Sequence, residues 1–316
     1  MESDQFKTES ILRLYKHEMV NLSASLSRAI NDYLGNPRLK DIDSRKIKNV
    51  YQDASSTLSM FEFLSKNIGI LVDDPIPPNM KNVRFYHDLL YKWENIKRVD
   101  AREKGCEFVF QKSSVNIFTD PNYAELVVYN LLTNAVKYAY DNTKIYVHCE
   151  KIPENNQYVL SVTNFTFSIS RKDASKIFEI GYRAEEARNN YPEGSGIGLW
   201  IVSKSMEQMG GKVVLCEPKL ISNYNIPLLH AYINHSHYYD TLISNEVQKK
   251  IKDEHDRLAK TYCFCDFGYP QDALSWIVSD YNWSHPAKSK FLMELNEPTY
   301  VIKFEVYFDE ENLITR

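Results

Sequence analysis

No run of apolar residues in this chain approaches the roughly 20 that a membrane-spanning helix needs. Its first residues, MESDQFKTES, supply neither the basic segment nor the apolar stretch of a secretory leader. Positive charge is missing as a block: Lys and Arg are spread along the chain and the formal net charge is -4, so the electrostatic footprint of a nucleic-acid binder is absent. Cysteines are few, five in 316 residues, and an odd number scattered from Cys106 to Cys265 builds no disulfide framework in a chain of this size. Internal repeats and low-complexity tracts are lacking too. These absences leave a cytosolic globular protein with no nucleic-acid partner and no membrane span. At 43% hydrophobic and 25% charged, the chain is long enough for two domains.

From Phe6 to Leu34 the residues Leu12, Tyr15, Met19, Leu22, Leu26, Ala29 and Tyr33 recur at spacings of three and four, a heptad seam that Gly35, Asn36 and Pro37 end. A second seam runs through Ile47, Val50, Ala54, Thr57, Phe61, Leu64 and Ile68. The two helices form a hairpin over residues 1–70. A lone hairpin cannot enclose its own seam, whereas two copies make a four-helix bundle, so a homodimer is expected. The acidic, proline-rich stretch LVDDPIPPNM marks a linker at 71–82, ahead of a second domain at 83–316.

In that domain helices alternate with strands. Helices are expected near Tyr86 to Lys104, Tyr123 to Tyr140 and Ile197 to Met209. Strands are expected at Cys106 to Phe110, Val115 to Phe118, Lys144 to Glu150, Tyr158 to Asn164, Lys212 to Cys216 and Thr299 to Phe308. The fold class is α+β: a helical hairpin followed by an α/β sandwich of mixed strand order. An insertion at 217–298 separates the last two strands and is too long to be a plain connection. It carries one clear helix near Leu242 to Lys260 and many aromatics. Its CFC triplet, Cys263 to Cys265, with His230, His235, His237 and His255 nearby in sequence, invites a zinc reading. One residue between the cysteines, where structural zinc sites leave two to four, argues for ordinary packing instead.

Glycine is scarce, ten residues in all, and three of them fall at alternate positions in YPEGSGIGLWIV. Without side chains at Gly194, Gly196 and Gly198, backbone N–H groups can approach an anion, and the following helix turns its positive dipole end to the same place. A triphosphate suits such a loop; a plain tight turn is the other reading. On the helix from Tyr123 to Tyr140, Asn130, Asn134 and Lys137 stand at spacings of four and three and share one face. An amide carbonyl there can complete the oxygen shell of Mg²⁺, and a lysine one turn on can neutralise phosphate.

The ordered motifs NLLTNAVKY, KIFEIGYR and EGSGIGLWIV resemble the N, F and G2 boxes of the histidine kinase ATP-binding domain, a member of the GHKL superfamily. The resemblance implies the Bergerat α/β sandwich, with ATP and Mg²⁺ as cofactors. Asn134 would be the Mg²⁺ ligand, Asn130 and Lys137 would face the phosphates, and Tyr138 would lie near the nucleotide. Arg183 of the F box and Leu199 after the last glycine join the nucleotide-binding set, and Ile180 to Glu193 would be a mobile lid. KHEMVN resembles the family's H box, with His17 the phosphoacceptor, Glu18 the base that takes its second proton, and Asn21 able to orient water against a phosphorylated receiver. With Leu12 at heptad position a, His17 falls at f, farthest from the bundle core.

One box departs from the pattern. Where the family has an Asp and alternating glycines (its G1 box), this chain has VTNFTFSIS, with Asn164 in the Asp position and Thr166 and Ser168 for glycines. Leu22 also replaces the usual proline of the H box. The implied activity is an ATP-dependent histidine kinase that autophosphorylates His17 and passes phosphate to a receiver-domain response regulator. The alternatives are a degenerate phosphotransferase, phosphatase or binding adaptor without autokinase activity, and a non-kinase GHKL ATPase.

Overall fold

In the computed structural model the described residues are 77–111, 114–191, 194, 196–235, 244–262, 264–267 and 285–309. The expected hairpin and its dimer, with His17, Glu18 and Asn21, lie outside them, as do His237 and Cys263.

Strand β1 (Lys81–Arg84) pairs antiparallel with β3 (Asn116–Thr119), forming a small ribbon beside the main sheet. After β1 the chain enters a π-helical turn at Phe85–Leu90 that runs on as α1 (Tyr91–Glu103). The main sheet takes β2 (Glu107–Phe110), β4 (Lys144–Ile152), β5 (Gln157–Thr166), β8 (Thr299–Asp309) and β6 (Lys212–Leu215) in the order β2-β4-β5-β8-β6, with β7 (Lys219–Ser222) also on β8. β2 and β4 are parallel and the other pairs antiparallel. The α+β sandwich expected from the sequence is therefore present in the described residues.

Strand β8 is the spine. It pairs with β5 at ten positions, from Gln157 opposite Asp309 to Thr166 opposite Tyr300. Its other edge is shared, β6 lying against one half and β7 against the other. Along it Ile302, Phe304, Val306 and Phe308 are buried and the residues between are half-exposed, the period of two that puts one face on a core. That face is covered by α1, α2 (Pro121–Tyr138) and α5 (Gly198–Gln208), which enclose Trp93, Leu126, Leu131, Leu132, Ile201 and Met206; the short helices α3 (Arg171–Ala174) and α4 (Glu185–Asn190) come between α2 and α5 in the chain.

The opposite face is covered at one end by the insertion, where Phe165, Ile221, Ile226, Leu258 and Phe267 form a separate apolar cluster. Beside it α6 (Ile226–His235), α7 (Asn245–Thr261) and α8 (His285–Leu295) pack through Leu229, Tyr232, Ile251, Phe291 and Leu295. Of these helices the sequence pattern marks α7 alone. It has the strongest two-sided character, whereas α6 is apolar nearly all round and α8 has no periodic stripe.

Phe264 lies nearly parallel to two imidazoles, at 4.2 Å and 9° from His230 of α6 and 4.6 Å and 12° from His255 of α7. The imidazole centroids are 5.4 Å apart. Burial, with His255 alongside, pushes His230 down to about 4, and burial also lowers His255. An unfolded chain then takes up the proton first, so stability is complete above the ordinary histidine value near 6.5 and is lost as pH falls from there toward 4. At about 1.4 kcal/mol per pKa unit, His230 removes roughly 3 kcal/mol across that window. Urea unfolding at about pH 7.5 and about pH 5 checks this: the midpoint should drop with acid, and His230→Leu should flatten the drop. Equal drops in both proteins would refute it.

Candidate functional site

Helix α2 carries the asparagines and its position is fixed at both ends. At its start Asp120 accepts hydrogen bonds from the backbone N–H of Asn122 (2.7 Å) and Tyr123 (3.2 Å), and Pro121 occupies the first turn. Such a cap contributes about 1 kcal/mol. At its end the Lys104 ammonium donates to the carbonyls of Val136 (3.3 Å), Lys137 (3.1 Å) and Ala139 (2.6 Å), the place where a helix dipole favours a cation. The helix starts two residues earlier and stops two residues earlier than the apolar pattern suggests. The start follows from the Asp120 cap; the stop follows because Ala139 turns extended and Tyr140 N–H joins the Phe165 carbonyl.

Between α2, β5 and α5 lies a cavity of about 200 Å³. All ten residues expected from the sequence to hold nucleotide line it: Asn130, Asn134, Lys137, Tyr138, Asn164, Arg183, Gly194, Gly196, Gly198 and Leu199. The elements bring them from four separate stretches of chain. Asn130 is anchored by donating from Nδ2 to the Leu126 carbonyl at 2.8 Å, which leaves its Oδ1 facing α5. A Cβ at Gly198 would stand 3.1 Å from that Oδ1 and 3.6 and 3.7 Å from the Asn134 amide atoms. The α5 N-terminus therefore abuts the polar face of α2, and no side chain caps it, so its first N–H groups stay available. At Gly196 φ is +70°, and its carbonyl accepts a hydrogen bond from Gly181 N–H at 3.1 Å. The two ends of the segment Ile180 to Gly196 are thereby tied together.

That segment is held from below as well. Tyr182 Oη donates to Asp173 at 2.6 Å, and Ser170 Oγ donates to the other carboxylate oxygen at 2.7 Å. These bonds keep the Asp173 carboxyl below the usual carboxylate range and raise the Tyr182 phenol. Arg183 donates to the carbonyls of Ala187 (2.9 Å) and Tyr191. Tyr138, Phe167 and Tyr191 form an edge-to-face group, with Tyr138 at 6.0 Å from Phe167 and 5.4 Å from Tyr191. Burial raises the Tyr138 phenol, and Arg183 opposes the rise.

The cavity is polar at the glycine end and apolar where Val162, Ile302 and Phe304 form its floor. The altered G1 stretch divides across the sheet. Asn164 and Thr166 face the cavity, while Phe165 faces the insertion and packs on Phe267 at 4.7 Å. Thr166 donates its hydroxyl to the Tyr138 carbonyl. Ser168 does not line the cavity, whereas Phe167 does. Sequence reasoning missed Phe167, Ile177, Tyr182, Ile302 and Phe304. Tyr182 was within reach, since it stands inside the quoted KIFEIGYR motif; Ile302 and Phe304 were not, since nothing in their strand's alternation says which cavity it floors.

A family match falls over the ten motif residues. Residues 119–227 match the family described as histidine kinase-, DNA gyrase B-, and HSP90-like ATPase. Among curated relatives it is 24% identical over 216 residues to the sensor histidine kinase GacS of Pseudomonas protegens, covering 64% of this chain and 23% of that protein. It is 28% identical over 120 residues to the sensor protein kinase WalK of Staphylococcus aureus, covering 37% of this chain and 29% of that protein. The chain thus spans under a third of the length of these relatives. Among solved structures, full-length ShkA in complex with AMPPNP aligns at a TM-score of 0.41 and 18% identity, over 66% of this chain and 43% of that one. Among the described residues no helix is long and apolar enough to cross a membrane.

Proposed function

We propose that this chain is an ATP-dependent protein histidine kinase of two-component type, a cytoplasmic homodimer that phosphorylates its own His17 and passes the phosphoryl group to a receiver-domain Asp. The observation that supports this most is the convergence of the ten motif residues on one cavity, with an uncapped helix N-terminus set against the two asparagines. A phosphate chain fits the glycine end: the α5 N–H groups and the Lys137 ammonium supply positive charge there. The donor set also fits Mg²⁺, because Asn134 offers a neutral amide oxygen of the hard type that ion prefers. When bound, Mg²⁺ supplies charge neutralisation for the phosphate oxygens and lets the transferring group leave.

The chain's own residues do the rest. One neutral nitrogen of His17 forms a bond to the γ-phosphorus as the bond to the bridging oxygen breaks, and ADP leaves with that electron pair. Glu18 takes the proton from the other ring nitrogen, so the phosphorylated imidazole stays neutral on its ring. Asn130 and Lys137 orient the phosphates, and Tyr138 and Arg183 wall the site beside the lid. Asn21 is assigned to the phosphatase step, positioning water to attack the phosphorylated receiver Asp, which releases inorganic phosphate.

Incubation of the purified chain with Mg²⁺ and γ-labelled ATP tests the proposal. The expected product carries acid-labile, base-stable label that disappears in His17→Gln. Hydrolysis of ATP without stable label would instead mark a GHKL ATPase, and failure to bind nucleotide at millimolar ATP would leave a binding adaptor.

A further inference from the structure

We infer that Asn164 makes this site accept 6-oxo purines alongside 6-amino purines, so that GTP binds in the same range as ATP. The inference rests on the reading of the cavity as a nucleotide site. Asn164 is 4% exposed and sits in register with Ile302, on the strand face that floors the cavity's apolar end. A flat apolar floor suits a base, and the charged and glycine residues at the other end suit its phosphates. Of the polar side chains β5 sends into this space, Thr166 already donates to the Tyr138 carbonyl. The Asn164 side chain lines the cavity and is not among the buried polar atoms left without a partner, so its amide is open to the cavity rather than sealed. A ligand edge that enters the cavity can take the place of solvent on both its donor and its acceptor.

The carboxamide decides which ligand edges qualify. It holds an acceptor, Oδ1, beside a donor, Nδ2. Against a 6-amino purine, Oδ1 accepts from the exocyclic amino group while Nδ2 donates to ring N1. Against a 6-oxo purine the amide turns over: Nδ2 donates to O6, and Oδ1 accepts from the N1 proton. Both pairings use both atoms, so neither base leaves a buried group unpaired. A carboxylate at this position has acceptors alone, pairs with the amino group and meets O6 with like charge. Sites that leave a buried polar group unpaired discriminate by about 10⁴ or more; an amide that pairs with both edges removes that discrimination.

Titration of the full chain with ATP, GTP and ITP in the presence of Mg²⁺, read by calorimetry, tests this. The expected dissociation constants for ATP and for at least one 6-oxo purine lie within about tenfold of each other. ITP is included because it lacks the 2-amino group, so a clash at C2 would weaken GTP alone. Asn164→Asp should separate the series, tightening ATP relative to both 6-oxo purines by about 100-fold or more. If wild type binds ATP more than about 100-fold tighter than both GTP and ITP, the assignment of Asn164 is overturned whether or not the Asp variant folds. If none of the three binds, the nucleotide reading itself falls, an outcome distinct from ATP binding alone.

Discussion

Replacing Asn134 by Ala is expected to slow Mg²⁺-dependent phosphorylation of His17 by about 10²–10³ while the fold survives. The reasoning starts from the helix. Asn134 is half-buried on the polar face of α2 and lines the cavity beside the α5 N-terminus. Alanine is the better helix former, so removal of the amide should leave stability within about 1 kcal/mol of wild type or raise it slightly. What is lost, on the proposed reading, is the amide oxygen that would complete a metal's shell next to the α5 N–H groups. Asn134→Asp keeps an oxygen there but adds negative charge beside the phosphates, and should fall between wild type and the Ala variant. Binding of ATP measured with and without EDTA is the check: wild type should lose affinity on chelation, and Asn134→Ala should start weak and lose little more. A variant that binds ATP in Mg²⁺ as tightly as wild type and phosphorylates at the same rate would remove Asn134 from the metal.

How much of this was legible beforehand divides by the range of the forces involved. The face formed by Asn130, Asn134 and Lys137 is a consequence of helical spacing, which is local, and so is the run of glycines before α5. Both were visible in the chain and both meet in the cavity. The strands β4, β5 and β8 were visible because their alternation is long, and β8 ends one residue past its expected limit, at Asp309. The strand β1 was not visible: Lys81–Arg84 falls partly in the stretch taken as linker, and four residues with a single buried Val83 carry no alternation to detect. Its partner β3 decides its state, and that pairing spans more than thirty residues. The same holds for β7, α6 and α8 of the insertion, whose burial is against one another and against the back of the sheet. The direction of Phe165 is the clearest case at the site. Nothing local in VTNFTFSIS says which face Phe165 takes; the pleat of β5 sends it away from the cavity because Asn164 and Thr166 share the inner face.

Gly196→Ala is expected to weaken nucleotide binding by about 100-fold while the sheet core unfolds at nearly its original temperature. Here the argument is steric and runs through backbone alone. The residue's φ of +70° is a conformation that costs an L-residue about 1–2 kcal/mol. A Cβ there would stand 2.6 Å from the Tyr182 carbonyl oxygen and 2.7 and 2.8 Å from the Gly181 carbonyl atoms. None of these atoms belongs to a flexible side chain, so the loop must move, and the Gly181–Gly196 hydrogen bond that ties its ends must stretch or break. Overpacking of this kind typically costs a further 1–3 kcal/mol, and both terms fall on the loop that sets the distance between α5 and α2. Gly198→Ala provides the contrast. Its Cβ would meet Asn130 Oδ1 at 3.1 Å, tight but not forbidden, in the first turn of a helix where alanine is favoured. The expected order of affinity for ATP is therefore wild type, then Gly198→Ala, then Gly196→Ala, measured by calorimetry with thermal unfolding of each variant alongside. If Gly196→Ala bound ATP better than Gly198→Ala, the loop would not be the rigid cradle its geometry describes, and the anion would be held by side chains instead.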